Sequence, residues 1–209
     1  DFRFLVKAPQ AVTSAFLFES REPSPHYLDA AFARAMFVEP CLAGLGSKAG
    51  PLVFQFPPQG RAVTRDPEAF ALALGRFLSG LPKGPLYAVE FRDRELLAPE
   101  SMRALTESGA RLCLGVHARM PPVEIQAAAA TSLGAGPLVI RWNLHGGFAY
   151  DEAKSRYAPF NRLVDEDPET RAAIASLCRE TLAAGHEAIV IANNKAEGCA
   201  PLTIRRLAE

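Results

Sequence analysis

The run Tyr87-Ala88-Val89-Glu90-Phe91-Arg92 is apolar up to a single carboxylate and closes on a guanidinium. A strand with one face in water would alternate apolar and polar residues. A nearly continuous run of this length is the pattern of a parallel strand covered on both faces. The strand expected here is Tyr87–Phe91, and five further runs share the pattern: Phe2–Lys7, Leu52–Phe56, Arg111–Val116, Leu138–Trp142 and Ala188–Ala192.

The segments between these runs carry helix punctuation. Ser24-Pro25 offers an N-cap and a first-turn proline for a helix reaching Leu42. Asp66-Pro67-Glu68 repeats the device before a helix ending near Gly80. Pro99-Glu100 opens another, stopped by Gly109, and Pro121-Pro122 precedes Val123–Thr131. Asp167-Pro168-Glu169 opens a helix to Gly185, with Arg171 and Arg179 expected to face solvent. A last helix is expected over Pro201–Ala208. Gly44-Leu45-Gly46 follows a helix and is expected to stop it. Alternation of strand and helix, with no hairpin signal such as Asn-Gly, predicts the α/β class with a parallel sheet.

No repeat, low-complexity tract or Gly/Ser-rich linker divides residues 1–209, so a single domain is expected. The long connection Asn143–Leu163 is the exception to short loops. It carries Gly146-Gly147, Phe148, Tyr150 and Tyr157. A connection this long predicts either a lid or a surface excursion packed on its own aromatics.

Lysine plus arginine and aspartate plus glutamate balance at 23 each. That neutrality disfavours nucleic-acid backbone as an obligate partner, without excluding a local basic pocket. The four cysteines, at 41, 113, 178 and 199, show neither zinc-ligand spacing nor a dense disulfide pattern. No run of about 18 apolar residues and no signal peptide is visible, so no membrane association and a cytoplasmic location are expected. The opening on Asp1, directly in a strand-like run, leads to the expectation that an upstream portion has been left out.

In a parallel α/β sheet, ligands bind at the carboxyl ends of the strands. Here those ends carry Lys7, Gln55, Glu90 with Arg92, His117, Arg141 with Asn143, and Asn193. Alternation along a strand puts Glu90 and Arg92 on one face, and Arg141 and Asn143 on one face. A carboxylate inside an apolar strand requires a cation, which Arg92, Arg141 or Lys7 could each supply.

Cations and amides together make a pocket for a phosphate, carboxylate or enolate. Glu90, Lys7 and Arg141 are therefore the catalytic candidates, with Glu90 as acid/base and Lys7 polarising a carbonyl. Gln55, Arg92, Asn143, Asn193, Tyr150 and Tyr157 are the substrate-binding candidates. No tightly held cofactor or metal is expected. Glu90 with His117 is the one pair that could hold a divalent ion. HExxH, GxSxG, P-loop and GxGxxG patterns are absent.

At these strand ends the sequence resembles a known family. The blocks are Phe2-Arg3-Phe4-Leu5-Val6-Lys7-Ala8-Pro9, Gly50-Pro51-Leu52-Val53-Phe54-Gln55-Phe56-Pro57-Pro58 and Ala88-Val89-Glu90-Phe91-Arg92. Val139-Ile140-Arg141-Trp142 and Ile191-Ala192-Asn193-Asn194, followed by Gly198 and Ala200, complete them. Together they are similar to the YecE-like proteins, domain of unknown function 72. The resemblance implies a TIM-type (β/α)8 barrel whose first two strands are missing from this chain. Two departures stand out: His117 where the family usually has aspartate, and Arg141-Trp142-Asn143-Leu144-His145-Gly146 where it commonly has Arg-x-His-Gly.

The reading predicts an enzyme acting on a small anionic or polyhydroxylated substrate. The rivals are a metal-dependent nucleic-acid-processing enzyme and a non-catalytic ligand-binding protein.

Overall fold

A computed structural model describes residues 2–17, 19, 20, 22–145, 148 and 150–209, with Tyr150 in backbone only. The strands are β1 (Phe4–Lys7), β2 (Ala49–Phe56), β3 (Tyr87–Phe91), β4 (Arg111–Val116), β5 (Leu138–Trp142) and β6 (Ala188–Ala192). They follow the order β1-β2-β3-β4-β5-β6, and every neighbouring pair is parallel. The fold is α/β, with helices alternating with the strands of a six-stranded parallel sheet. Among the described residues, β1 has one strand neighbour, β2, and β6 has one, β5.

The helices are α1 (Gln10–Thr13), α2 (Ala30–Ala33), α3 (Glu39–Leu45), α4 (Arg61–Thr64), α5 (Pro67–Ser79), α6 (Pro99–Ser108), α7 (Val123–Ala129), α8 (Tyr150–Tyr157), α9 (Pro168–Ala183) and α10 (Ala200–Ala208). The chain forms two compact units, residues 1–112 and 113–209.

In the first unit, the sheet is covered by an aromatic layer. Phe54 packs edge-on against Phe37 and Phe77, and Phe70 packs against both Phe56 and Phe91. Phe70, Leu74, Phe77 and Leu78 form the buried stripe of α5, at the spacing one helix face requires. Burying each such phenyl ring contributes roughly 1.5–3 kcal/mol. Asp66 begins this helix by accepting a hydrogen bond from Ala69 N at 2.9 Å. Asp66→Ala should therefore cost about 1 kcal/mol in a chemical-denaturation experiment. α6 stops where expected, at Gly109 with φ +75°.

The helix expected to start at Ser24 instead begins at Asp29, whose carboxylate accepts from Phe32 N at 3.0 Å. Ser24 spends its hydroxyl on Ala11 O at 2.8 Å, and Leu28 at φ +53° breaks any helix before Asp29. A π-helical stretch, Arg34–Val38, then joins α2 to α3. Pro40 has no N–H to offer one turn back, and Glu39 N reaches Arg34 O, five residues back.

In the second unit, α9 packs on β5 and β6, and α10 packs on β6. Asp167 caps α9 as read from the sequence, accepting from Thr170 N at 3.0 Å. Arg171 corrects the expectation of a solvent-facing side chain. It is 15 % exposed and paired with fully buried Glu197 at 2.5 Å. Arg179 is exposed, as expected.

The connection Asn143–Leu163 contains the unforeseen helix α8. Its Asp151 and Glu152 in the first turn and Lys154 and Arg156 in the last suit the helix dipole, but it has too few apolar residues to show periodicity. Leu144, Ala153 and Tyr157 form a small core here, with Phe148 and Phe160 packed on it.

Candidate functional site

Register decides which strand-end side chains can meet. In the first unit Lys7 is aligned with Val53, and Gln55 is aligned with Glu90. Alternation then puts Lys7, Val53, Gln55, Ala88 and Glu90 on one face, and Phe54, Phe56 and Phe91 on the helix-covered face. Arg92, two residues after Glu90, continues on the polar side. Its Nη2 lies 2.6 Å from Glu90 Oε1, so of the cations the sequence offered Glu90, Arg92 is a direct partner. Glu90 is fully buried, Arg92 nearly so, and Gln55 half-buried at the same level. Lys7 sits two residues, or about 6–7 Å, nearer the strand starts, and it is exposed.

Beside this group lies a buried amide that the sequence did not single out. Gln59 is 2 % exposed. Its N donates to Asp93 Oδ2 at 2.7 Å, its Nε2 donates to Thr13 O and Pro57 O, and its Oε1 accepts from Ala15 N. It ties the ends of β2 and β3 to the segment after α1. Its only sequence signal is its place directly after the strand-ending Pro57-Pro58.

In the second unit, Gly115 is aligned with Arg141 and Arg141 with Ile191. Alternation carries the same face on to His117, Asn143 and Asn193. Trp142, on the other face, is fully buried. Arg141 is half-buried beside Gly115, which presents no side chain. Asn143 turns inward, donating from Nδ2 to Arg141 O at 2.8 Å. Asn193 is exposed, and its Oδ1 accepts from Lys195 N at 3.0 Å. Asn194 Oδ1 accepts from Ala200 N, starting α10.

Gln126, a second buried amide the sequence did not flag, bonds both backbone groups of Gly115 at 3.0 Å and so fixes the end of β4. His117 is half-buried there, and its Nδ1 accepts from Arg119 N at 3.2 Å. A cleft of about 380 Å³ opens at this strand end between His117, Met120, Glu124 and Glu169. Both glutamates occupy first helical turns, where the helix dipole favours a carboxylate regardless of any ligand.

Tyr157, expected to bind substrate, is 1 % exposed and belongs to the small core of its own connection. Burial first, and then the Asp165 carboxylate, push its phenol well above the usual tyrosine range. The Tyr150 side chain, with Gly146 and Gly147, lies outside the described residues. Among the described residues, no three His, Cys, Asp or Glu side chains are grouped to hold a metal ion. No helix among them is long and apolar enough to cross a membrane.

The structure thus joins Glu90, Arg92 and Gln55 at one level in the first unit. In the second it aligns Arg141, Asn143 and Asn193 on one face. The sequence model of the family described as "Protein of unknown function DUF72" matches residues 1–209. No curated protein and no solved structure matches the chain.

Proposed function

The chain belongs to the DUF72 family, and from that premise we propose an enzyme that binds a small anionic or polyhydroxylated substrate at strand carboxyl ends. In this reading the six parallel strands are part of a TIM-type (β/α)8 barrel, and the protein works in the cytoplasm. The observation that carries it is the Glu90–Arg92 pair, 2.6 Å apart with Glu90 fully buried, beside the Gln55 amide.

The Arg92 contact fixes the Glu90 carboxylate in one orientation, so a hydroxyl group arriving there meets an acceptor already aligned. Gln55 offers both a donor and an acceptor at the same level, and guanidinium groups suit a bidentate anion. A buried ion pair contributes little net stability compared with apolar residues of similar volume. Its place at a strand carboxyl end therefore supports a chemical use. Within the first unit Glu90 is assigned the acid/base role, Lys7 is assigned to polarise the reacting group, and Gln55 and Arg92 are assigned to orientation; in the second unit Arg141, with Asn143 and Asn193 on its face, is assigned by itself to hold an anionic group.

The test is a thermal-shift screen with sugar phosphates and small carboxylates, followed by turnover assays on the compounds that stabilise the protein. Glu90→Gln keeps the side chain's shape and should keep the fold. It should lower turnover about 10²–10⁴-fold, the usual contribution of a general acid or base. A fully active Glu90→Gln enzyme would overturn the assignment. If no compound in either class shifts the melting temperature, the substrate class is wrong.

A further inference from the structure

α5 and α6, both in the first unit, present a surface that the proposed reaction does not use. The two helices run in the same direction, since each returns from the carboxyl end of one parallel strand to the start of the next. They approach closely at Gly75, where an added Cβ would lie 3.6 Å from Ala104 Cβ. On the solvent side a groove of about 400 Å³ opens between them, floored by the small residues Ala71, Gly75 and Ala104. Leu72 stands on its rim, 59 % exposed. A single exposed leucine is ordinary, so the charges around it decide what the groove fits.

Glu68 stands one turn before Leu72 and Arg76 one turn after it, both exposed and both lining the groove. On the opposite rim α6 contributes Glu100 and Arg103. No described residue forms an ion pair with any of these four. The order acid, leucine, base along α5 is self-complementary. When two copies of α5 lie antiparallel across a two-fold axis at Leu72, Glu68 of each meets Arg76 of the other. The approach of Gly75 to Ala104 puts Leu72 level with Ser101, three residues back on each helix. Glu100 and Arg103 straddle that level, so the same axis sets each of them opposite the other's charge in the second copy.

We propose that this groove is the contact face of a symmetric dimer, in which Leu72 of each copy packs on the small-residue floor of the other and ion pairs run along both rims. Charge selects a second copy as the occupant. A partner of uniform charge would meet one acid and one base on either rim, whereas an antiparallel copy of the same face satisfies all four. The small residues of the floor let the two helix layers come close, and the leucines supply the apolar centre of a polar-rimmed contact.

Sedimentation of the protein from roughly 1 μM to 1 mM tests for the dimer, which should appear at twice the mass of the chain within that range. A monomer throughout would overturn the proposal. Leu72→Asp should abolish the dimer, and a dimer that survives it lies on another face, which overturns the proposal equally. Charge exchange then tests the alignment. Glu68→Arg or Arg76→Glu alone sets like charges opposite each other at two symmetric places and should weaken association by about tenfold or more. Glu68→Arg combined with Arg76→Glu re-forms both pairs with their signs reversed and should restore association to near that of the unaltered protein. A double variant as weak as either single one would show that these two residues do not meet across the axis. All three positions are exposed, so the melting temperature of the monomer should change little in any variant.

Discussion

Replacing Arg171 by methionine is expected to cost about 3–5 kcal/mol of unfolding free energy, because it strands the Glu197 carboxylate inside the second unit. Glu197 is fully buried, and Arg171 is the cation paired with it at 2.5 Å. The remaining bond, from Asp167 N, is a dipole rather than a countercharge. For a domain of this size the loss corresponds to a melting temperature lower by about 6–20 °C.

Two companion variants identify the cause. Arg179→Met, on the same helix but exposed, should change stability by no more than about 0.5 kcal/mol. Arg171→Met combined with Glu197→Gln removes both charges and should recover part of the loss, since the cost lies in the unpaired charge rather than in the missing side chain. Urea titrations of the three variants measure this. A loss below about 1 kcal/mol for Arg171→Met would show that the pair is not buried as described.

Arg171 also marks the limit of what could be read in the sequence. A polar residue on an amphipathic helix is expected to face water unless a partner is known, and Glu197 stands 26 positions away. The same holds for Gln59 with Asp93, 34 positions apart, and for Gln126 with Gly115, 11 apart. Such pairings leave no local trace, because only the tertiary fold brings them together.

Local signals fared differently. β3, β4, β5 and β6 have the bounds read from their apolar runs, which end abruptly at polar residues or turns. The Asp66 and Asp167 caps are visible because an N-cap is a one-turn interaction. The Ser24 start failed for a local reason of a different kind: nothing in the residue type shows that Leu28 takes φ +53°. Helix α8 was hidden because charge at its ends, rather than an apolar stripe, favours it. At the candidate site, the shared face of Glu90 and Arg92 follows from strand parity alone. Which cation meets Glu90 could not be decided without the coordinates.

The second large effect is expected at Gly198, where Gly198→Ala should cost about 3 kcal/mol or more. Its φ is +117°, a backbone region closed to side chains, and holding any other residue there costs about 1–3 kcal/mol. Space adds to this. A Cβ at Gly198 would lie 2.6 Å from Arg162 O and 3.0 Å from both Val164 N and a Val164 methyl group. Two of those obstacles are backbone and cannot rotate aside. Val164 N donates to Glu197 O at 2.8 Å, so pushing the two segments apart also breaks the bond that seats the end of the connection against β6. Gly109→Ala is the matched control, because Gly109 has φ +75° with nothing within 4 Å of its added Cβ. It should show only the backbone share, about 1 kcal/mol. Thermal unfolding gives the difference, and limited proteolysis should show new cleavage near Arg162 in Gly198→Ala alone. Equal losses in the two variants would mean that residues 162–164 do not approach Gly198 as closely as the structure has them.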